Sequence, residues 1–125
     1  MTTLVVVGML ASIAVPGYHQ VMLRAGRSEA KVALLQTASS LERCFSRYNA
    51  FNDPQCNAQV RLPLLTESGR YQITAARLDA TNYSLQAVPQ GGQAADNECQ
   101  TLSYDSAGHK NVIGAQQSAG ACWSR

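Results

Sequence analysis

The sequence predicts an α+β fold, a long N-terminal helix packed on a four-stranded antiparallel sheet. Three observations predict it. Leu4–Val15 (LVVVGMLASIAV) is apolar or small throughout, and no Lys, Arg, Asp or Glu precedes Arg24. Ala30, Leu34, Ala38, Leu41, Phe45 and Tyr48 then recur at steps of four and three, one face of a helix. From Tyr71 onward, short runs alternate apolar and polar residues between turn formers, the pattern of half-buried strands.

Length and charge set the bounds. At 125 residues the chain holds one domain plus an appendage. The net charge is +2 with 14% charged residues, too little for a strong nucleic-acid footprint by composition. Arg24, Arg27, Lys31, Arg43 and Arg47 fall in the helical stretch and read as a solvated face.

The expected division is a helix over 1–52 and a globular head over 53–125. Within the helix, 1–22 is the hydrophobic segment and 23–52 is amphipathic. Leu4, Val5, Val6, Val7, Met9, Leu10, Ile13, Val15 and Pro16 are the residues expected to sit in lipid or in a protein core. Fifteen residues span roughly 22 Å of helix, short of the ~30 Å hydrocarbon layer. A basic n-region, as a secretory signal needs, is missing. Pro16-Gly17 should break or kink the helix, and the helical pattern resumes beyond it. A second apolar line, Val21, Ala25, Val32 and Leu35, widens the stripe, so the helix has surface for the head on one side and for other subunits on another.

Asn49–Pro54 (NAFNDP) ends the helix. Leu62-Pro63-Leu64-Leu65 reads as a packing loop and Glu67-Ser68-Gly69-Arg70 as a turn. Strands are expected at Tyr71–Leu78, Asn82–Val88, Thr101–Asp105 and around His109–Ile113. Asp79-Ala80-Thr81 closes the first hairpin, and Ser106-Ala107-Gly108 turns into the last strand. The tail, Gly114–Gly120, is small and polar, with Trp123 expected to cover a sheet edge or a disulfide.

Four cysteines, Cys44, Cys56, Cys99 and Cys122, in a small chain with an apolar N-terminal segment read as disulfides and imply an oxidising compartment. Their spacings match no zinc motif, and no metal or cofactor is expected. Three connectivities are open. Cys44–Cys56 would pin a loop onto the end of the helix, and Cys99–Cys122 would tie the tail to the sheet.

Several segments resemble a known family. Leu10–Tyr18 (LASIAVPGY) is followed by the amphipathic continuation and the sheet. The head carries Tyr71-Gln72-Ile73, Asn82–Pro89 (NYSLQAVP), Gln93, Asp96, Cys99, Leu102, Asp105, Gly108 and Cys122-Trp123. Together they resemble a type IV pilin, and the second half resembles a PilE-type minor pilin. The family's processing motif, a Gly followed by Phe-Thr-Leu-Ile-Glu-Leu, is not in this chain. Register on Pro16 places those six residues just ahead of Met1, so the start is expected upstream. With them the apolar run would reach roughly 31 Å.

The resemblance implies a minor structural subunit of a type IV pilus. Its helix would be anchored in the inner membrane with the head in the periplasm, and processed by a prepilin peptidase. It would then pack against other pilin subunits in the filament core, so that the head ends outside the cell. It would help start or support assembly.

No GxSxG, P-loop, GxGxxG or HExxH stands in the chain, and no enzyme is expected. The alternatives are a DNA-binding pilin acting in uptake, a pseudopilin of a type II secretion system, and a secreted protein with a cleaved signal. For DNA, Arg61, Arg70, Arg77, Lys110 and Arg125 would supply phosphate contacts, with Tyr71, Tyr83 and Tyr104 for stacking.

Overall fold

A computed structural model describes the backbone of residues 2–58 and 60–124 and the side chains of residues 20–56 and 60–124. The side chains expected to form the anchor, Leu4 to Pro16, and Arg125 lie outside the described residues.

Helix α1 is Thr2–Tyr48 and runs through Pro16-Gly17. Among the described residues no helix is long and apolar enough to cross a membrane. The helix stops where Asn49 turns left-handed (φ 60°) and its N–H donates to the Phe45 carbonyl at 2.7 Å. Asn tolerates that conformation because its short side chain can bond locally. Ala30, Leu34, Ala38 and Leu41 are buried on one face of α1, while Val21, Val32 and Leu35 are 60%, 53% and 42% exposed. One apolar line is therefore satisfied by the head and the other faces outward.

The head carries a five-stranded antiparallel meander: β1 (Leu64–Leu65), β2 (Tyr71–Leu78), β3 (Tyr83–Pro89), β4 (Thr101–Asp105) and β5 (Lys110–Ile113). The expected count of four is corrected by β1, which the sequence presents as a loop. Leu64 pairs with Ile73 and Leu65 with Gln72. The turn between them closes through Thr66, whose N–H donates to the Tyr71 carbonyl at 2.9 Å and whose hydroxyl accepts from Tyr71 N at 3.2 Å. Two residues carry no readable period, so only the pairing makes them a strand.

Alternation decides which side of the sheet meets the helix. Tyr83, Leu85 and Ala87 of β3 are buried, as are Tyr71 and Ile73 of β2 and Leu102 of β4. They close on the buried line of α1 as one core. Phe51, just past the helix, fills the top of that core with its ring 4.6 Å from Phe45 and 4.9 Å from Tyr83. A bulge between Ala75 and Arg77 ends the alternation of β2, and Ala76 to Leu78 are exposed.

The tail is also corrected. Its last part is a short helix, α2 (Ala119–Ser124), packed on β5. Cys99 and Cys122 are bonded, as are Cys44 and Cys56.

Candidate nucleic-acid interface

Of the five expected cations Arg125 lies outside the described residues, and the other four are not brought together. Arg61 lies beside Leu64 and Leu65 in a groove against α1. Arg70 begins at one end of β2 and donates to the Met22 carbonyl at 3.1 Å. Arg77, at the other end of that strand, is paired with Asp79 at 2.7 Å. Among the described ones, Lys110 is the cation that stands over an aromatic ring. Of the three tyrosines, Tyr71 and Tyr83 are core residues and present no face to a base. Tyr104 is half-buried.

The surface around Lys110 is built from the β4–β5 hairpin upward. Asp105 closes the turn: its carboxylate accepts from Ala107 N at 3.0 Å, His109 N at 2.9 Å and the His109 ring at 3.1 Å. Burial pulls the Asp105 carboxyl upward, but the bonds from His109 and Ala107 outweigh it and hold the group below its ordinary value. With the turn closed, Lys110 sits opposite Tyr104 in register. Trp123 of α2 completes the group. Its indole N–H donates to the Asn111 carbonyl at 2.9 Å, blunting the free edge of β5. Its ring lies 6.3 Å from that of Tyr104, and the Lys110 ammonium stands 5.7 Å from the indole centroid. A cation over an indole offers charge and an aromatic surface together, the two elements that contact phosphate and base.

Two features of the sequence hold this surface in place. Six residues are too few for α2 to persist alone, and the Cys99–Cys122 bond joins it to the strand side of the head. The segment carrying Cys99 is in turn held by α1. Arg27 donates from Nε and Nη2 to the Asp96 carboxylate at 2.5 and 2.6 Å, and from Nη2 to Glu98 at 3.2 Å. Arg27 is 3% exposed and Asp96 1%. The hydrogen bond that Arg27 donates to the Asp96 carboxylate raises the guanidinium's affinity for its proton, against the opposing effect of burial.

The reading of the helix cations as a solvated face therefore fails at Arg27. Removing one member of such a pair strands a buried charge, typically at about 3–5 kcal/mol. One step earlier on the helix, Gly26 lets Gln93 close in, and Gln93 donates to both the Leu23 carbonyl and the Tyr71 hydroxyl at 3.0 Å. Gly26-Arg27 thus meets Gln93 and Asp96, two residues that the sequence marks only through the family resemblance. Among the described residues no cluster of His, Cys, Asp or Glu could hold a metal ion.

This architecture, a long helix laid across an antiparallel meander with a disulfide-bounded C-terminal end, is that of the type IV pilins. The chain belongs to the family described as "Type IV minor pilin ComP, DNA uptake sequence receptor", which matches residues 16–103. It is a minor pilin, and family and fold are those of structural subunits. Two solved structures are similar to it. The non-core minor pilin PilV of Neisseria meningitidis superposes with a TM-score of 0.60 at 21% identity, over 78% of this chain and 93% of that one. A type IV pilin from Shewanella oneidensis superposes with a TM-score of 0.52 at 28% identity, over 82% of this chain and 99% of that one. No curated protein matches the chain.

Proposed function

We propose that this minor pilin binds DNA during uptake, through the surface made by Tyr104, Lys110 and Trp123. The observation that carries the reading is the Lys110 ammonium poised over the only tryptophan of the chain. The description of the family supports it, since it is that of a receptor for a DNA uptake sequence. Arg125 follows Trp123 by two positions and would add a second cation. Arg61, Arg70 and Arg77 contribute at most to steering.

In the same reading, Leu4–Val15 anchors the chain in the inner membrane before a prepilin peptidase processes it. The helix then packs among other pilin subunits, and the head is carried outside the cell.

Duplex DNA titrated against the full chain at several salt concentrations tests the interface. Lys110→Ala should weaken binding and lower the slope of log affinity against log salt by about 0.9, the loss of one phosphate contact. Trp123→Ala should weaken binding by about tenfold, an effect within the range of one stacked base. Wild-type affinity in both variants, with the fold intact by circular dichroism, would remove this surface from consideration.

A second reading, help in filament assembly, is favoured by the outward line Val21, Val32 and Leu35. An exposed apolar helix face of this kind asks for an apolar partner. Leu35→Asp should then lower filament yield while leaving the isolated subunit folded. Unchanged yield would count against that role.

A further inference from the structure

At the end of the sheet where α1 first meets the head lies a small open pocket of about 390 Å³, with mixed polar and apolar walls. β2 begins there and β3 ends there, since Tyr71 pairs with Pro89 and Gln90 N donates to the Arg70 carbonyl at 2.7 Å. Met22, Ser68, Gly69, Arg70, Gly91 and Gly92 are among its walls, and no acidic residue lines it. A Cβ at Gly69, Gly91 or Gly92 would meet nothing within 4 Å, so the backbone there is open to close approach. Arg70 spends one donor on the Met22 carbonyl and rests another 4.0 Å from the Met22 sulfur, a weak acceptor. The nearby carboxylate of Glu29 is taken by Ser68, from N at 2.8 Å and from the hydroxyl at 2.5 Å.

The place of this pocket along the helix gives it a partner. Tyr is a residue of membrane interfaces, and Tyr18 stands after the apolar Leu4–Val15 run, six positions before the first charge at Arg24. Met22 is four residues beyond it, about 6 Å of helix. The headgroup layer is about 5–7 Å thick on each side of the hydrocarbon. At that height Arg70, with exposed Arg24 on the adjoining turn of the helix, stands level with the phosphate layer; the Glu29 carboxylate feels its charge but accepts its hydrogen bonds from Ser68.

We propose that the Arg70 pocket takes the phosphate of an anionic phospholipid headgroup while the chain is anchored, docking the lower end of the head on the bilayer. The proposal rests on the anchor reading given above. Arg70 forks onto the phosphate oxygens, and Gly69, Gly91 and Gly92 let the headgroup reach the backbone. Phosphate contact through a single arginine makes the docking reversible and salt-sensitive, as extraction into a filament requires.

The test uses the full chain in nanodiscs of phosphatidylglycerol and, separately, of phosphatidylcholine. Hydrogen exchange is followed in the peptides covering Ser68–Arg70 and Gln90–Gln93. These should exchange about fivefold more slowly in the anionic discs, the effect expected of one arginine at a charged surface. The difference should vanish in 1 M salt, where screening acts within about 3 Å, and in Arg70→Gln at low salt.

Equal exchange in the two lipids, or protection that survives both Arg70→Gln and high salt, overturns the proposal. Equal protection of the detergent-solubilised chain by inorganic phosphate alone overturns the assignment to lipid. Failure of the chain to co-purify with either disc is a separate result: it defeats the anchor reading and this proposal with it. Co-purification without lipid-dependent exchange defeats the proposal alone.

Discussion

At the scale of single residues, the head is joined to the helix by polar contacts that leave little room for change. Gly26 is the sharpest case. Helix propensity alone favours alanine over glycine by about 1 kcal/mol, yet a Cβ at Gly26 would clash with the Gln93 side-chain amide. Gln93 would have to give up its bonds to the Leu23 carbonyl and the Tyr71 hydroxyl. Gly26→Ala should therefore destabilise the chain by about 1–3 kcal/mol in urea denaturation. Adding Gln93→Ala should relieve the clash and recover part of the loss. A Gly26→Ala variant more stable than the parent would refute the contact.

Tyr71 supplies a pH signature at the same scale. Burial first, moderated by the Gln93 bond, pushes its phenol from 10.0 up to about 12. Burial and the neighbouring Glu42 push Tyr83 up as well. Both phenols are thus harder to ionise folded than unfolded. Their contribution to stability is whole below pH 10; that of Tyr71 is lost as pH rises from there through about 12, and that of Tyr83 is lost in the same direction. Absorbance at the phenolate band should show two tyrosines titrating late, together with alkaline unfolding. Early titration of all five tyrosines with the fold intact would contradict the burial.

At the scale of elements, α2 depends on a bond more than on its own sequence. Cys99 and Cys122 are 23 residues apart, and closing a loop of that size stabilises by on the order of 3 kcal/mol. Replacing both cysteines by alanine should release α2 from β5 and expose Trp123. The chain has one tryptophan, so its emission reports on this element alone. A red shift is expected well before the loss of the helical signal of α1. Emission unchanged by the replacement would mean that packing on β5 suffices to hold α2.

At the scale of the whole molecule, α1 serves two environments. From Leu23 to Cys44 its inward line is spent on the sheet, while the Leu4–Val15 stretch is what the anchor reading commits to lipid. A charge placed within that stretch separates the two roles. Ala14→Asp should cost about 2.5–3.5 kcal/mol on insertion scales and should reduce membrane fractionation and surface filaments. The head should stay folded by circular dichroism, because its core begins beyond that position. Intact fractionation and filaments would defeat the anchor. An unfolded head would mean that the two halves of the helix are not independent.

Much of this organisation is local and so was readable from the sequence alone. The helix, the buried line from Ala30 to Leu41, and strands β2 to β5 with their turns follow from period and punctuation, which need only neighbours along the chain. The family resemblance rests on the same runs. What only the tertiary structure decided lies between residues far apart in sequence. It made Leu64–Leu65 a strand, because a two-residue strand exists only through its partner. It sent Arg27 inward to Asp96, since the cost of burying a charge is met by a carboxylate 69 positions away. It buried Tyr71 and Tyr83 and scattered the arginines, because strand register, not composition, chooses the face of each side chain. And it brought Lys110 to Trp123 through a hairpin, a disulfide and a six-residue helix, none of which carries the contact by itself.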